Sequence, residues 1–120
     1  MILIDTSIWI DHYRAPFAEL TELLGLEQIL QHPFVTAELA LGNPSGRSAM
    51  VARLDSIDQA LVVTQTELLD FVAAKQIGGT GLGFVDAHLL ASAERLNCLI
   101  WCRDKRLATQ AERLGRLHPA

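Results

Sequence analysis

Much of what this chain of 120 residues lacks is informative. No apolar run approaches the roughly 18 residues that a membrane span requires, so no spanning helix is expected. The opening MILI has neither a basic stretch before it nor a small-residue cleavage site, so it reads as a strand and not as a secretion signal. There is no repeat, low-complexity tract or linker. Cysteine is confined to Cys98 and Cys102. On a strand these would lie roughly 13 Å apart at ~3.3 Å per residue, out of reach of a disulfide, which needs Cα atoms within about 7 Å. Their spacing is not that of a zinc or redox pair, and buried thiols in a reducing cytoplasm are expected. His12, His32, His88 and His118 show no metal-ligand spacing among them. Basic charge is also short, with 10 Lys and Arg against 14 Asp and Glu. A broad basic nucleic-acid face is thereby excluded. An acidic pocket filled with cations would reverse the local sign, however, and setting four acids aside leaves the remaining charges balanced.

What is present is half hydrophobic and one-fifth charged, the composition of a globular chain. Residues 1–120 are long enough for one domain that buries about two-thirds of its unfolded surface. MILI (1–4), EQIL (27–30), ALVV (60–63) and CLIW (98–101) are candidate strands, apolar on both faces as in a covered parallel sheet. Helical stripes separate them. Phe17, Leu20, Leu23 and Leu24 follow Pro16; Met50, Val51, Leu54 and Ile57 recur at helical spacing. Leu68, Leu69, Phe71 and Val72 follow Thr64-x-x-Glu67, a capping box. Leu89, Leu90, Ala93 and Leu96 form a further stripe, and a last helix is expected from about Lys105 to Leu114, stopping at Gly115. Strands alternating with helices predict an α/β fold with a parallel sheet, whose ligands bind beyond the carboxyl ends of the strands.

Three carboxylates stand alone in apolar surroundings. Asp5 is the first charge in the chain; Glu38 interrupts PFVTAELALG; Asp86 interrupts GLGFVDAHLLASA. A charge taken out of water costs several kcal/mol or more unless it is paired, protonated or metal-bound. Asp5 alone could cap the helix that starts near Ser7, and Asp86 could favour a helix's first turn. Three such acids from distant segments predict a shared place. Asp104, in WCRDKRLA, follows a strand as Asp5 does, so both emerge at one sheet edge. Arg103, Lys105 and Arg106 surround it and are candidates to hold phosphates. Carboxylates without His or Cys ligands suit Mg²⁺ or Mn²⁺ and not zinc. Ions of that kind acidify a water and clamp the oxygens of a phosphoryl displacement. The chemistry expected is phosphodiester hydrolysis, with the acids converging on a common cation. GGTGLG (78–83) fits neither a dinucleotide loop nor a P-loop and reads as a turn feeding the Asp86 helix. His88, two residues on from Asp86, is expected to face away from it, about 200° round the helix. Trp9 and Trp101 read as core or interface residues.

Asp5-Thr6-Ser7, Glu38 in AELALG, Asp86 in VDAHLLASA and Asp104 in CRDKRLA together resemble the four acidic motifs of PIN-domain ribonucleases. Their order and spacing are similar in particular to the VapC toxins of bacterial toxin–antitoxin pairs. The resemblance covers the whole chain. It implies a PIN-like three-layer α/β/α fold, with a small, mostly parallel sheet flanked by helices and an acidic pocket at its carboxyl edge. It further implies Mg²⁺- or Mn²⁺-dependent endonucleolytic cleavage of RNA, leaving a 5′-phosphate and a 3′-hydroxyl. Asp5, Glu38, Asp86 and Asp104 would be the catalytic, metal-binding acids, and Ser7 would support Asp5. A homodimer bound by a cognate antitoxin is implied, with an antitoxin base reaching the acids. Where Thr or Ser commonly stands two residues before the last acid, this chain has Cys102, a weaker hydrogen-bond donor. Two alternatives stand beside this reading. A phosphoreceiver domain is α/β and of similar length, but it wants an acidic pair after the first strand, and Thr6 follows Asp5. It also wants an aspartate after a middle strand, where ALVV is followed by Thr64-Gln65-Thr66. A catalytically silent PIN fold acting as a binding module is the other.

Overall fold

A computed structural model describes residues 1–42 and 46–120 of the protein. In chain order the elements are β1 (Ile2–Ile4), α1 (Thr6–Arg14), α2 (Ala18–Gly25), β2 (Ile29–Leu30), α3 (Pro33–Gly42) and α4 (Arg47–Asp55). Then come α5 (Gln65–Ala74), α6 (Phe84–Leu96), β3 (Leu99–Trp101) and α7 (Lys105–Arg113). The strands form one parallel sheet in the order β2-β1-β3, with Ile2 opposite Ile29 and Leu99, and Ile4 opposite Trp101. The crossovers from β1 to β2 and from β2 to β3 run in opposite directions. Right-handed connection therefore puts their helices on opposite faces, which yields the expected three layers.

The sheet is small because its strands are covered on both sides and have no need of alternation. Leu3, Ile4 and Ile100 have no exposed surface and pack with Ile8, Trp9, Leu20, Ile29, Val35, Leu89, Leu90 and Leu107. Each fully buried aliphatic side chain of this kind contributes about 1.5–3 kcal/mol. Short bridges protect the sheet's outer edges. Gln31 pairs with Gln59 beyond β2, and Ile100 pairs with Leu117 beyond β3. Such cover removes unpaired ladder groups that would otherwise recruit another chain.

Most helix starts and stops follow the sequence signals. Both halves of the capping box at α5 form, Glu67 N to Thr64 Oγ1 at 3.1 Å and Thr64 N to Glu67 Oε1 at 3.0 Å. Helix α7 ends at Arg113 and is followed by Gly115 at φ 72°, the left-handed region where a glycine costs least. One expected strand is absent. Residues 60–63 make no ladder beyond the single bridge at Gln59. Ala60 and Val63 are buried, but Leu61 and Val62 are 44% and 36% exposed. The Leu61 carbonyl accepts from Ser92 Oγ at 2.7 Å. β2 stops at Leu30 because α3 starts at Pro33, so an apolar run here finds nothing to pair with; periodicity alone does not separate such a run from a strand.

Under the sheet a buried polar chain joins α1 to α3. Trp9 Nε1 donates to Gln31 Oε1 at 3.0 Å, and Gln31 Nε2 donates to Thr36 Oγ1 at 2.9 Å. Gln31 has no exposed surface. Gln31→Leu strands the indole N–H and the threonine hydroxyl, and should destabilise the protein by about 1–3 kcal/mol for each stranded group. Urea unfolding measures this; a midpoint equal to the parent's would mean the chain of bonds is not made.

Candidate active site at the acidic edge

β1 delivers Asp5 to the carboxyl edge of the sheet, where its amide donates to Trp101 O at 3.0 Å. By position Asp5 is the N-cap of α1, yet its side chain makes no capping hydrogen bond. Instead Ser7 Oγ donates to Asp5 Oδ2 at 3.0 Å. The one side-chain hydrogen bond to this carboxylate among the described residues thus comes from the Ser7 hydroxyl. Asp5 is only 5% exposed. Burial raises its pKa above the usual carboxylate value; the Thr6 amide and the Ser7 hydroxyl and amide oppose the rise, and the charge of Glu38 adds to it.

Continued one residue past its last pair, Ile4 with Trp101, the register of β1 and β3 sets Cys102 beside Asp5, one strand spacing of about 4.8 Å away. Burial, then the charges of Asp5, Asp86 and Asp104, push the Cys102 thiol up to about 12. At neutral pH it is a protonated, nonnucleophilic thiol. Two residues on, Asp104 caps α7, its Oδ1 accepting from Arg106 N at 2.9 Å and Leu107 N at 3.1 Å. That capping role was legible as an aspartate ahead of the α7 stripe, but the sequence reading assigned Asp104 only to the metal-binding acids. The cap fixes the carboxylate through one oxygen.

Asp86 lies in the first turn of α6 and is partly buried. Its carboxyl is pushed up to about 6, by burial first and then by Asp5, Asp104 and Glu38. Four acids from four segments thus share one field. Glu38 departs from expectation in its surroundings: it is exposed on α3, beside exposed Ala37 and an 85% exposed Leu41. Its Oε1 accepts from Thr6 Oγ1 at 2.7 Å. Thr6 is a positioning residue the sequence reading passed over, although it is the middle residue of the same Asp-Thr-Ser run.

The basic residues divide. Arg103 Nε pairs with Asp11 Oδ2 at 2.8 Å, and its guanidinium lies over the Phe17 ring at 5.2 Å. Asp11 is thereby engaged. Lys105 and Arg106 are exposed, and among the described residues neither forms an ion pair. The Arg106 side chain lies against Gly81, whose φ of 82° suits glycine. A β-carbon there would stand 3.5 Å from Arg106 Cδ. Trp9 and Trp101 are core residues, and both cysteines are free and buried.

Convergence on one cation was expected of these acids; the structure shows that Asp5, Asp104 and Glu38 act on the charge of Asp86, and among the described residues it shows no ready-made coordination set. Among the described residues, no three Asp, Glu, His or Cys side chains stand together as a closed set of metal ligands. The donor chemistry nevertheless fits a hard divalent ion. Burial and then the charges of Asp5, Asp104 and Glu38 raise the proton affinity of Asp86, no basic group offsets that shift, and every acidic donor is oxygen. Grooves elsewhere bear less on this edge. One of about 510 Å³ is lined by Trp9, Tyr13, Leu24, Arg53 and Ile57, away from the acids. Another of about 380 Å³, between Ile10, Tyr13, Leu39 and Met50, reaches Glu38.

Comparison with known proteins bears on the same residues. The sequence profile of the PIN domain matches residues 2–113. Ribonuclease VapC32 of Mycobacterium tuberculosis, in strains CDC 1551 and H37Rv, is 44% identical over 116 residues, covering 96% of this chain and 94% of the relative. Among solved structures, PAE2754 from Pyrobaculum aerophilum superposes with a TM-score of 0.63 at 16% identity, over 92% of this chain and 84% of that one. FitAcB from Neisseria gonorrhoeae gives 0.65 at 20%, over 93% and 94%. At those identities the two structures speak to the fold alone.

In cation-free solution Asp86 should titrate near 6, and Asp5→Asn or Glu38→Gln should each lower that value by removing a repelling charge. Carboxyl-carbon NMR checks it. Between pH about 4 and about 6 the folded chain holds a proton here that the unfolded chain has released, so this group's contribution to stability falls as pH rises through that window. Asp86→Asn should remove that slope. An Asp86 that titrates near the ordinary 3.8 would mean the acids do not share a field.

Proposed function

This chain belongs to the PIN-domain family, and from that membership we propose that it is a VapC-type toxin, an endoribonuclease that hydrolyses RNA phosphodiester bonds. The observation that carries the reading is the acidic edge itself, where burial and the charges of Asp5, Asp104 and Glu38 raise the proton affinity of Asp86 with no base interposed. The 44% identity to a ribonuclease of the VapC kind, along nearly the whole chain, supports it independently. The whole chain, 1–120, is taken as one PIN domain.

The residues divide the work. Asp5, Asp86 and Asp104, with Glu38, would hold Mg²⁺ or Mn²⁺. When bound, the ion supplies Lewis acidity, lowering the pKa of a water and neutralising charge on the phosphate in an in-line displacement. Ser7 holds the Asp5 carboxylate in one orientation, and Thr6 does the same for Glu38. The α7 amides hold Asp104 through Oδ1. Lys105 and Arg106, exposed beside that cap, are assigned to the RNA backbone. Arg103 contributes from the rim, since Asp11 and Phe17 already engage it. Cys102, neutral and buried, supplies packing and a weak donor, not a nucleophile.

A cognate antitoxin protein is the proposed partner and a homodimer the proposed assembly. Exposed apolar side chains such as Ile10, Tyr13 and Leu41 support both. None of the described helices is long and apolar enough to cross a membrane, and two free thiols suit the proposed cytoplasmic setting. The phosphoreceiver alternative loses its middle strand at 60–63, and Thr64, near where its phosphoacceptor would stand, is spent on the capping box.

Total RNA incubated with the purified chain should be cut in Mg²⁺ or Mn²⁺ and left intact in EDTA. Ser7→Ala should slow cleavage by roughly 10–100-fold, the usual effect of removing a group that orients a metal ligand. Asp5→Asn and Asp86→Asn should lose more than that. Cleavage that persists in EDTA, or in Asp5→Asn, refutes the metal-dependent mechanism; a folded parent that cuts nothing leaves the silent binding module.

A further inference from the structure

Behind Asp86, on the other side of α6, lies an aromatic cluster for which the acidic site has no use. Phe84 opens the helix and is 61% exposed. Its ring stacks beside Phe34 at 6.2 Å between centroids and 21° between planes. His88, one turn on, meets Phe84 edge-on at 4.7 Å and Phe34 at 4.8 Å. His32 meets Phe34 at 5.0 Å. All four contacts fall in the range that favours aromatic pairs. The two histidines are buried, at 0% and 4% exposed. Burial, and for His32 also the neighbouring His88, lowers their pKa values, to about 4 for His32. Both are neutral at physiological pH, so the cluster is uncharged. The Phe34 amide donates to His32 Nδ1 at 3.0 Å, which puts the proton on Nε2. That buried N–H, like His88 Nδ1, has no partner among the described residues.

We propose that Phe84, backed by Phe34, His88 and His32, is a stacking shelf for one unpaired base of the RNA strand cut at the acidic edge. This rests on the ribonuclease reading above and adds to it where a neighbouring base is held. Four considerations converge on a base as the occupant. Phe84 and Asp86 share the first turn of α6, separated by about 3 Å along the axis and about 200° around it. The shelf and the carboxylate are therefore about a helix width, roughly 10 Å, apart. At that distance the shelf takes a base flanking the scissile bond. The ring is held by two neighbours, so little side-chain freedom remains to be lost on stacking. A single phenylalanine covers roughly 150–250 Å², far less than the ~800 Å² per partner of a stable protein interface, but ample for one base. The N-cap of α6 is Gly83, which has no side chain to close the first-turn amides, so they are open to a phosphate beside the shelf.

The test uses the full chain carrying Asp5→Asn, so that the probe survives, and a short single-stranded oligoribonucleotide containing 2-aminopurine, in Mg²⁺. Adding Phe84→Ala should weaken binding about tenfold, the scale of one lost stack, and should relieve quenching of 2-aminopurine at one position of the probe. Phe84→Trp should restore both. An abasic nucleotide at that position should weaken the Phe84 chain equally and leave Phe84→Ala indifferent. Because Phe84 is exposed, an unchanged thermal midpoint will show that Phe84→Ala folds. Undiminished binding by Phe84→Ala overturns the shelf while leaving the ribonuclease reading standing, and if that variant also turns a dimer into a monomer, the ring belongs to a protein interface. A parent chain that neither binds nor cuts RNA overturns both.

Discussion

Repulsion among carboxylates at the ends of β1 and β3 is the constraint that the rest of this structure has to satisfy. Like charges crowded in a half-dry site raise one another's pKa, and the shift of Asp86 to about 6 records that pressure. A fold bearing no function would gain by dispersing these side chains. Here they are held in place by bonds of separate origin. Ser7 fixes Asp5, Thr6 fixes Glu38, and two amides of α7 fix Asp104. Asp86 has the fewest such ties, and its carboxyl is pushed up to about 6. It is the group whose charge depends most on what else enters the site.

The parallel sheet explains why such different segments meet. β1 and β3 are neighbours although almost a hundred residues separate them in sequence. The chain order reverses between β1 and its two partners, and at such a reversal the loops beyond the strand ends part and leave a crevice. Asp5 and Cys102 occupy equal register positions there, and α6 brings Asp86 to the same edge. Helix α6 can approach so closely because Ala87, Ala91, Ser92 and Ala93 are small, and all four are buried. It packs against β3 and α5.

What the sequence made legible follows from what each signal measures. Isolation of Asp5 and Asp86 in apolar runs was a burial signal, and both prove wholly or partly buried. Isolation of Glu38 was the same signal but had a different cause: α3 exposes Ala37 and Leu41 beside it, so its apolar surroundings are surface and not core. The strand expected at 60–63 failed because a short apolar run shows only that side chains want cover, and Ala60 and Val63 obtain that cover without a ladder. Hydrogen bonds across distant segments were the least visible. Thr6 to Glu38 spans 32 residues and the Gln31 chain ties three segments. No local pattern marks either, since the partners become neighbours only once β1, β2 and α3 are assembled.

Helix α6 does two incompatible things, and its geometry is what reconciles them. An acidic site needs its carboxylates near water and cations, whereas an aromatic cluster with neutral histidines needs to be dry. Two residues of helix turn the chain by about 200°, so Phe84 and His88 share a face that Asp86 does not. The buried rings insulate His32 and His88 from protonation, so the cluster adds no positive charge to neutralise the acids from behind. That leaves the carboxylates' field uncompensated by protein on this side, and it confines the demand for positive charge to the open edge, where Lys105 and Arg106 stand exposed. Cation and polyanion would thus have to approach from one direction.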